Sequence, residues 1–174
     1  MGNFDAGITS YQYMDGNNQT LLMGNYSYPV TKNFTVSAGA GFMTDFKDYN
    51  TFVLDAKGNY KINENLSAQL RVRNCINGEN NTTQVRFSPG WNQNVGKRTN
   101  VYINPYYAYK HNYNTNQDSH TFGGFTGLKV QLNKNLNSKV KVYAFCEGQC
   151  YDFDKVGTKD PSIWSVNAGL IIKP

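Results

Sequence analysis

Between Thr51 and Cys75 two kinds of residue take turns. Phe52, Leu54, Ala56, Gly58, Tyr60 and Ile62 occupy every second place, with Val53, Asp55, Lys57, Asn59 and Lys61 between them. Past a polar stretch at 63–66, Leu66, Ala68, Leu70 and Val72 alternate with Ser67, Gln69, Arg71 and Arg73. Successive side chains of a strand point to opposite faces, so a period of two builds a hairpin with one apolar and one charged face. Few other patterns restrict a chain so tightly.

The same unit recurs along the sequence. Phe4, Ala6 and Ile8 open a first strand, and the turn residues Asp15-Gly16-Asn17-Asn18 follow it. A second strand carries Leu22, Gly24, Tyr26, Tyr28 and Val30, and a third carries Phe34, Val36, Ala38, Ala40 and Phe42. Beyond the central hairpin come strands around Val85–Trp91, Val101–Tyr109, Phe122–Leu132, Val140–Ala144 and Trp164–Ile172. Tight turns fall near residues 32, 64, 97 and 134, with longer polar stretches between them, notably 110–119 and 147–161. Short turns then lie at one end of the sheet and long loops at the other. The expectation is one all-β domain over residues 1–174, an up-and-down antiparallel meander closed into a β-barrel of about ten strands.

Composition removes the main competitors. No run approaches the ~20 apolar residues that a membrane-spanning helix needs. A mean hydropathy of −0.60 says nothing against a barrel, in which only every second residue must be apolar. Tyr 13, Phe 10 and only 17% charged residues are the reverse of a disordered composition. The net charge of +5 is spread through the strands without a dense basic cluster, which argues against a nucleic-acid partner. The opening MGNFDAG has neither a basic nor an apolar leader segment, so no secretion signal is expected in this sequence.

Which face is the core decides the class. The apolar face is rich in Ala and Gly, which fill a soluble core poorly but face lipid at little cost. Phe34, Tyr28, Tyr60, Phe122, Trp91, Tyr109 and Trp164 stand near strand ends, as interfacial girdles do. Even strand number, short turns at one end, long loops at the other and alternating strands together resemble the small bacterial outer-membrane β-barrels. The resemblance is one of pattern over nearly the whole chain. The last residues, Ile171-Ile172-Lys173-Pro174, lack the terminal aromatic residue common in that class. It implies an outer-membrane location, lipid as a partner, and a narrow pore or a platform for surface loops. A soluble barrel or sandwich with a structural or ligand-binding role, extracellular or particle-associated, is the alternative.

With the apolar face outward, the polar face lines the interior. The pore-lining candidates are Lys57, Arg71, Arg73, Arg86, Lys129, Lys139 and Lys141, set against few acids. Most of these bases are expected to lack an acidic partner and to be hydrated or paired with small mobile anions. No cofactor and no metal site is expected.

Other chemistry is sparse. His111, Asp118 and His120 share one polar stretch and are the sole basis for reading a hydrolase at the rim. Asp45 with Asp48, and Asp152 with Asp154 and Asp160, offer oxygen ligands for Ca²⁺ but lack a recognised loop spacing. Cys146 and Cys150 enclose Glu-Gly-Gln, so a loop disulfide is one expectation and free thiols the other, with Cys75 left over. Gly123-Gly124 suggests a bend or bulge within a strand. Pro89 and Pro105 are symmetric about residue 97, which predicts that they face each other across a hairpin at a bulge, an opening or an edge.

Overall fold

A computed structural model describes residues 2–13, 18–47, 50–78, 81–133, 141–152 and 163–173. Ten strands follow in order: β1 (Asn3–Tyr13), β2 (Asn18–Pro29), β3 (Phe34–Thr44), β4 (Asn50–Lys61), β5 (Leu66–Ile76), β6 (Thr82–Asn94), β7 (Thr99–Asn112), β8 (Gln117–Gln131), β9 (Lys141–Asp152) and β10 (Ile163–Lys173). Each pairs antiparallel with its sequence neighbours, and β10 returns to β1, with Ala6 opposite Ile172. The sheet is a closed barrel, so the sandwich alternative is excluded.

Alternation decides the two surfaces. Along β4 exposed and buried residues take turns, with Phe52 45%, Leu54 40% and Tyr60 51% exposed against Val53 0% and Asp55 4%. In a closed barrel the shielded face is the interior. Phe4, Ile8, Leu22, Val36, Phe42, Leu70, Val72, Phe87, Ile103 and Leu128 all lie on the outer face. The apolar stripe read from the sequence therefore points outward on β1 to β8.

The short turns are built alike. At 30–33 the Thr31 hydroxyl accepts the Phe34 amide at 3.0 Å, and at 62–65 the Asn63 side chain accepts the Leu66 amide at 2.8 Å. These side chains replace ladder partners where the strands separate. Successive turns are then stitched along the rim by Lys61 N–H to Asn33 O (2.7 Å), Asn92 N–H to Asn65 O (2.8 Å) and Gln131 N–H to Arg98 O (2.9 Å). One end of the barrel is thus closely trimmed, as the turn spacing predicts.

At the other end, parts of two predicted loops are strand. β7 runs through Asn112 and β8 begins at Gln117, leaving a turn of 113–116 in place of the expected 110–119 loop. Its chemistry explains the tightness: Asn112 Oδ1 accepts the amides of Asn114 (3.0 Å) and Thr115 (3.2 Å), and Asn116 takes φ 52°, a conformation asparagine tolerates. Asn114 also accepts the Asn81 amide at 2.7 Å and donates to Gly78 O at 3.3 Å, tying this turn to the next loop.

β9 likewise continues through Asp152, so Cys146 and Cys150 lie on one extended strand. Four residues at ~3.3 Å each hold their Cα atoms about 13 Å apart, well beyond the ~7 Å that a disulfide spans. The loop bridge is thereby corrected, and Cys75 and Cys146 are free thiols.

Pro89 and Pro105 do face each other. The β6–β7 ladder pairs Phe87 with Tyr107 and resumes at Trp91 with Ile103, leaving an opening between. Neither proline can donate to a ladder. The sheet elsewhere stays continuous, so the opening is a local gap and not an edge. Gly123 and Gly124 pair without interruption with Tyr106 and Pro105, so no bulge interrupts the β7–β8 ladder there.

Candidate functional site

The interior is where polar chemistry concentrates. Lys57 on β4, Arg71 and Arg73 on β5, Arg86 on β6 and Lys129 on β8 all occupy the shielded face of their strands. Lys139 lies outside the described residues, and of Lys141 only the backbone, at the start of β9, is described. The described acids on that face within the strands are Asp5 and Asp55.

Asp55 organises the bases around it. Arg73 donates from Nε to Oδ1 and from Nη2 to Oδ2, both at 2.7 Å, so the guanidinium fork matches both carboxylate oxygens. Lys57 Nζ stands 3.5 Å from Oδ2 and also donates to Asn25 Oδ1 at 3.3 Å, while Asn25 Nδ2 reaches Asp5 at 3.5 Å. A polar chain thus runs from Asp5 through Asn25, Lys57 and Asp55 to Arg73. It passes β3 because Gly39 lacks a side chain there; a Cβ at Gly39 would collide with Asn25 Oδ1.

The remaining bases are held differently. Arg71, 8% exposed, donates to Gln84 Oε1 at 2.7 Å. Arg86 lies opposite Arg71 in the ladder and rests over two rings, 4.9 Å from the Tyr106 centroid and 5.0 Å from that of Phe125. Cation–π contact of this kind replaces part of the lost hydration. The described bases are thus held in different ways: Lys57 and Arg73 share an acid, Arg71 has an amide partner and Arg86 has aromatic ones. The sequence reading also missed the packing of Leu21, Val53, Tyr106 and Ala108 on the same inner face, all at 7% exposure or less. Their parity with Asp55 or Arg86 was the available signal.

His111, Asp118 and His120 lie on strands and on the outer face, not in a loop. His111 Nδ1 stands 2.7 Å from Asp118 Oδ1, the Tyr109 hydroxyl donates to the same oxygen at 2.7 Å, and His120 Nδ1 meets the Tyr107 hydroxyl at 2.7 Å. Asp118 stands beyond Phe122, the last apolar outward residue of β8, at the loop end. The His111 and Tyr109 hydrogen bonds hold its carboxyl below the usual range. The group laces β7 to β8, and His120 is drawn to Tyr107 instead of joining the other two. Asp45 accepts the Lys47 amide at 2.9 Å within its own turn. Asp48, Asp154 and Asp160, and the side chain of Asp152, lie outside the described residues. Among the described residues no cluster of three His, Cys, Asp or Glu is placed to hold a metal.

No protein-family model and no curated protein matches the sequence. Solved structures match the fold. The NanC porin aligns with a TM-score of 0.57 at 10% identity, covering 95% of this chain and 98% of that one. The KdgM porin aligns with a TM-score of 0.53 at 13% identity, covering 96% and 97%. At such identities the likeness is one of architecture. Closed antiparallel wall, apolar exterior and trimmed turn end together make this the fold of the small bacterial outer-membrane β-barrels.

Proposed function

We propose that this chain crosses a bacterial outer membrane and forms a narrow pore favouring small anions, with the rim that carries the 113–116 turn as a surface platform. The observation that carries the reading is the inversion of the barrel: large apolar side chains cover the outside while Lys57, Arg71, Arg73, Arg86 and Lys129 stand inside with Asp5 and Asp55. Strands of 11 to 15 residues meet or exceed the 9–11 or so that a tilted strand needs to cross a bilayer. Lipid is then the partner of the outer face. Bases outnumber acids on the described inner face, and a basic lining favours anions. Lys139 and Lys141 belong to the proposed lining as well.

The interior is partly filled, so conductance is small. Val53, Tyr106 and Ala108 project among the polar groups, as expected for a barrel too small for a wide channel. Purified protein in a planar bilayer under a salt gradient tests the reading: the reversal potential should indicate anions, and Arg71→Glu with Lys129→Glu should move it toward cations. Insertion without conductance removes the pore and leaves the platform. Monodispersity in plain buffer, without detergent, removes the membrane reading altogether.

A further inference from the structure

The interior holds an anion of its own. Asp55 has no exposed side-chain surface, and both of its oxygens are engaged by Arg73. Its second base, Lys57, is 77% shielded, since its side chain is 23% exposed. A permeating carboxylate or phosphate would seek this same geometry, a planar fork on one side and an ammonium on the other. Asp55 already fills it.

We propose that Asp55 is a tethered competitor for the permeant anion and the residue that limits anion selectivity in this barrel. This rests on the pore reading above. Three features of the site support it beyond the ion pair itself. Asp55 lies at the centre of β4, six residues from Lys61 at the turn end and five from Asn50 at the loop end, so nothing passes the barrel without passing its level. The neighbouring strand β3 contributes Gly39 opposite it, which leaves open the space in which Lys57, held by Asp55, also reaches Asn25. Arg71 and Arg86 stand close by on β5 and β6, so the carboxylate screens a cluster of bases and not one residue alone.

Conservation of shape makes Asp55→Asn the informative change, because the amide oxygen still accepts a hydrogen bond from Arg73 while the charge is gone. In a planar bilayer with a chloride gradient, the anion-to-cation permeability ratio of D55N should rise at least about twofold over the parent, as a more basic lining requires. Arg73→Gln should lower it, and D55N added to R73Q should raise it again. That second comparison reads Asp55 without leaving a buried guanidinium short of its acid, and it serves if D55N alone fails to fold. Unchanged reversal potentials in both comparisons, with an anion-selective parent, would show Asp55 to be a brace only and overturn the inference. A parent that does not conduct, or that selects cations, instead overturns the pore reading on which it stands.

Discussion

Arg73 and Asp55 are directly opposed on β5 and β4 and meet through two parallel hydrogen bonds of 2.7 Å. Removing one partner of so shielded a pair leaves the other charged without its counter-ion, a loss of about 3–5 kcal/mol. Asp55→Ala should therefore destabilise the folded barrel by that order in denaturant titrations in detergent. Replacing both by residues of similar volume, Asp55→Leu with Arg73→Met, should cost far less. A double loss equal to the sum of the losses in Asp55→Leu and Arg73→Met alone would mean that the pair carries no coupling.

Neighbouring residues on β5 test the inversion of the barrel. Leu70 is 53% exposed on the outer face, whereas Gln69 points inward and donates to Asn59 Oδ1 at 2.8 Å. Arginine on the lipid face near the bilayer midplane costs about 2–4 kcal/mol. Leu70→Arg should lower stability in vesicles by this order, and Gln69→Arg by clearly less. The reverse ranking would contradict a lipid-facing Leu70.

At the loop end, Asp118 accepts from His111 and Tyr109, and those bonds depress its carboxyl. A depressed carboxylate stabilises the fold above its unfolded value and ceases to do so as pH falls through the folded one. Loosening of the 113–116 turn should therefore begin only at pH below the ordinary carboxylate range. His111→Ala should move the Asp118 midpoint, followed by carboxyl NMR, upward. A midpoint indifferent to His111 would mean that the bond does not persist in solution.

The thiols give a mass-spectrometric test of β9. If the strand is continuous past Cys150, alkylation of unreduced, denatured protein should label Cys75 and Cys146 fully, with no peptide joining Cys146 to Cys150. Recovery of that joined peptide would require the strand to break near Gly148.

Much of the wall was legible because a period of two states both the strand and its faces. Phe52 through Ile62 announce themselves as one surface, and the turn at Asn63 carries its own chemistry. Polarity misled at the loop end: His111, Asn112, Asp118 and Ser119 look like loop residues, yet their partners are cross-strand, and nothing local in a sequence shows who stands opposite. The same blindness hid the interior network. That Asp55 serves Arg73 depends on register, that Lys57 reaches Asn25 depends on an absent side chain at Gly39, and that Arg86 lies over Tyr106 and Phe125 depends on two other strands. Ladder gaps, by contrast, were foreseeable, since proline has no amide hydrogen wherever it sits.

The opening between Pro89 and Pro105 gives the wall a seam. Hydrogen-bonded strands transmit shear along their length, but here the β6–β7 hairpin is cut into a segment joined to the 95–98 turn and one joined to the 113–116 rim. The two can zip separately, the first from its own turn and the second from the lacing of Asn114 to Asn81 and Gly78. Along that short line at mid-height, beside Arg86 and Tyr106, no ladder bonds resist separation, so a small change in bore costs less there than along an intact ladder.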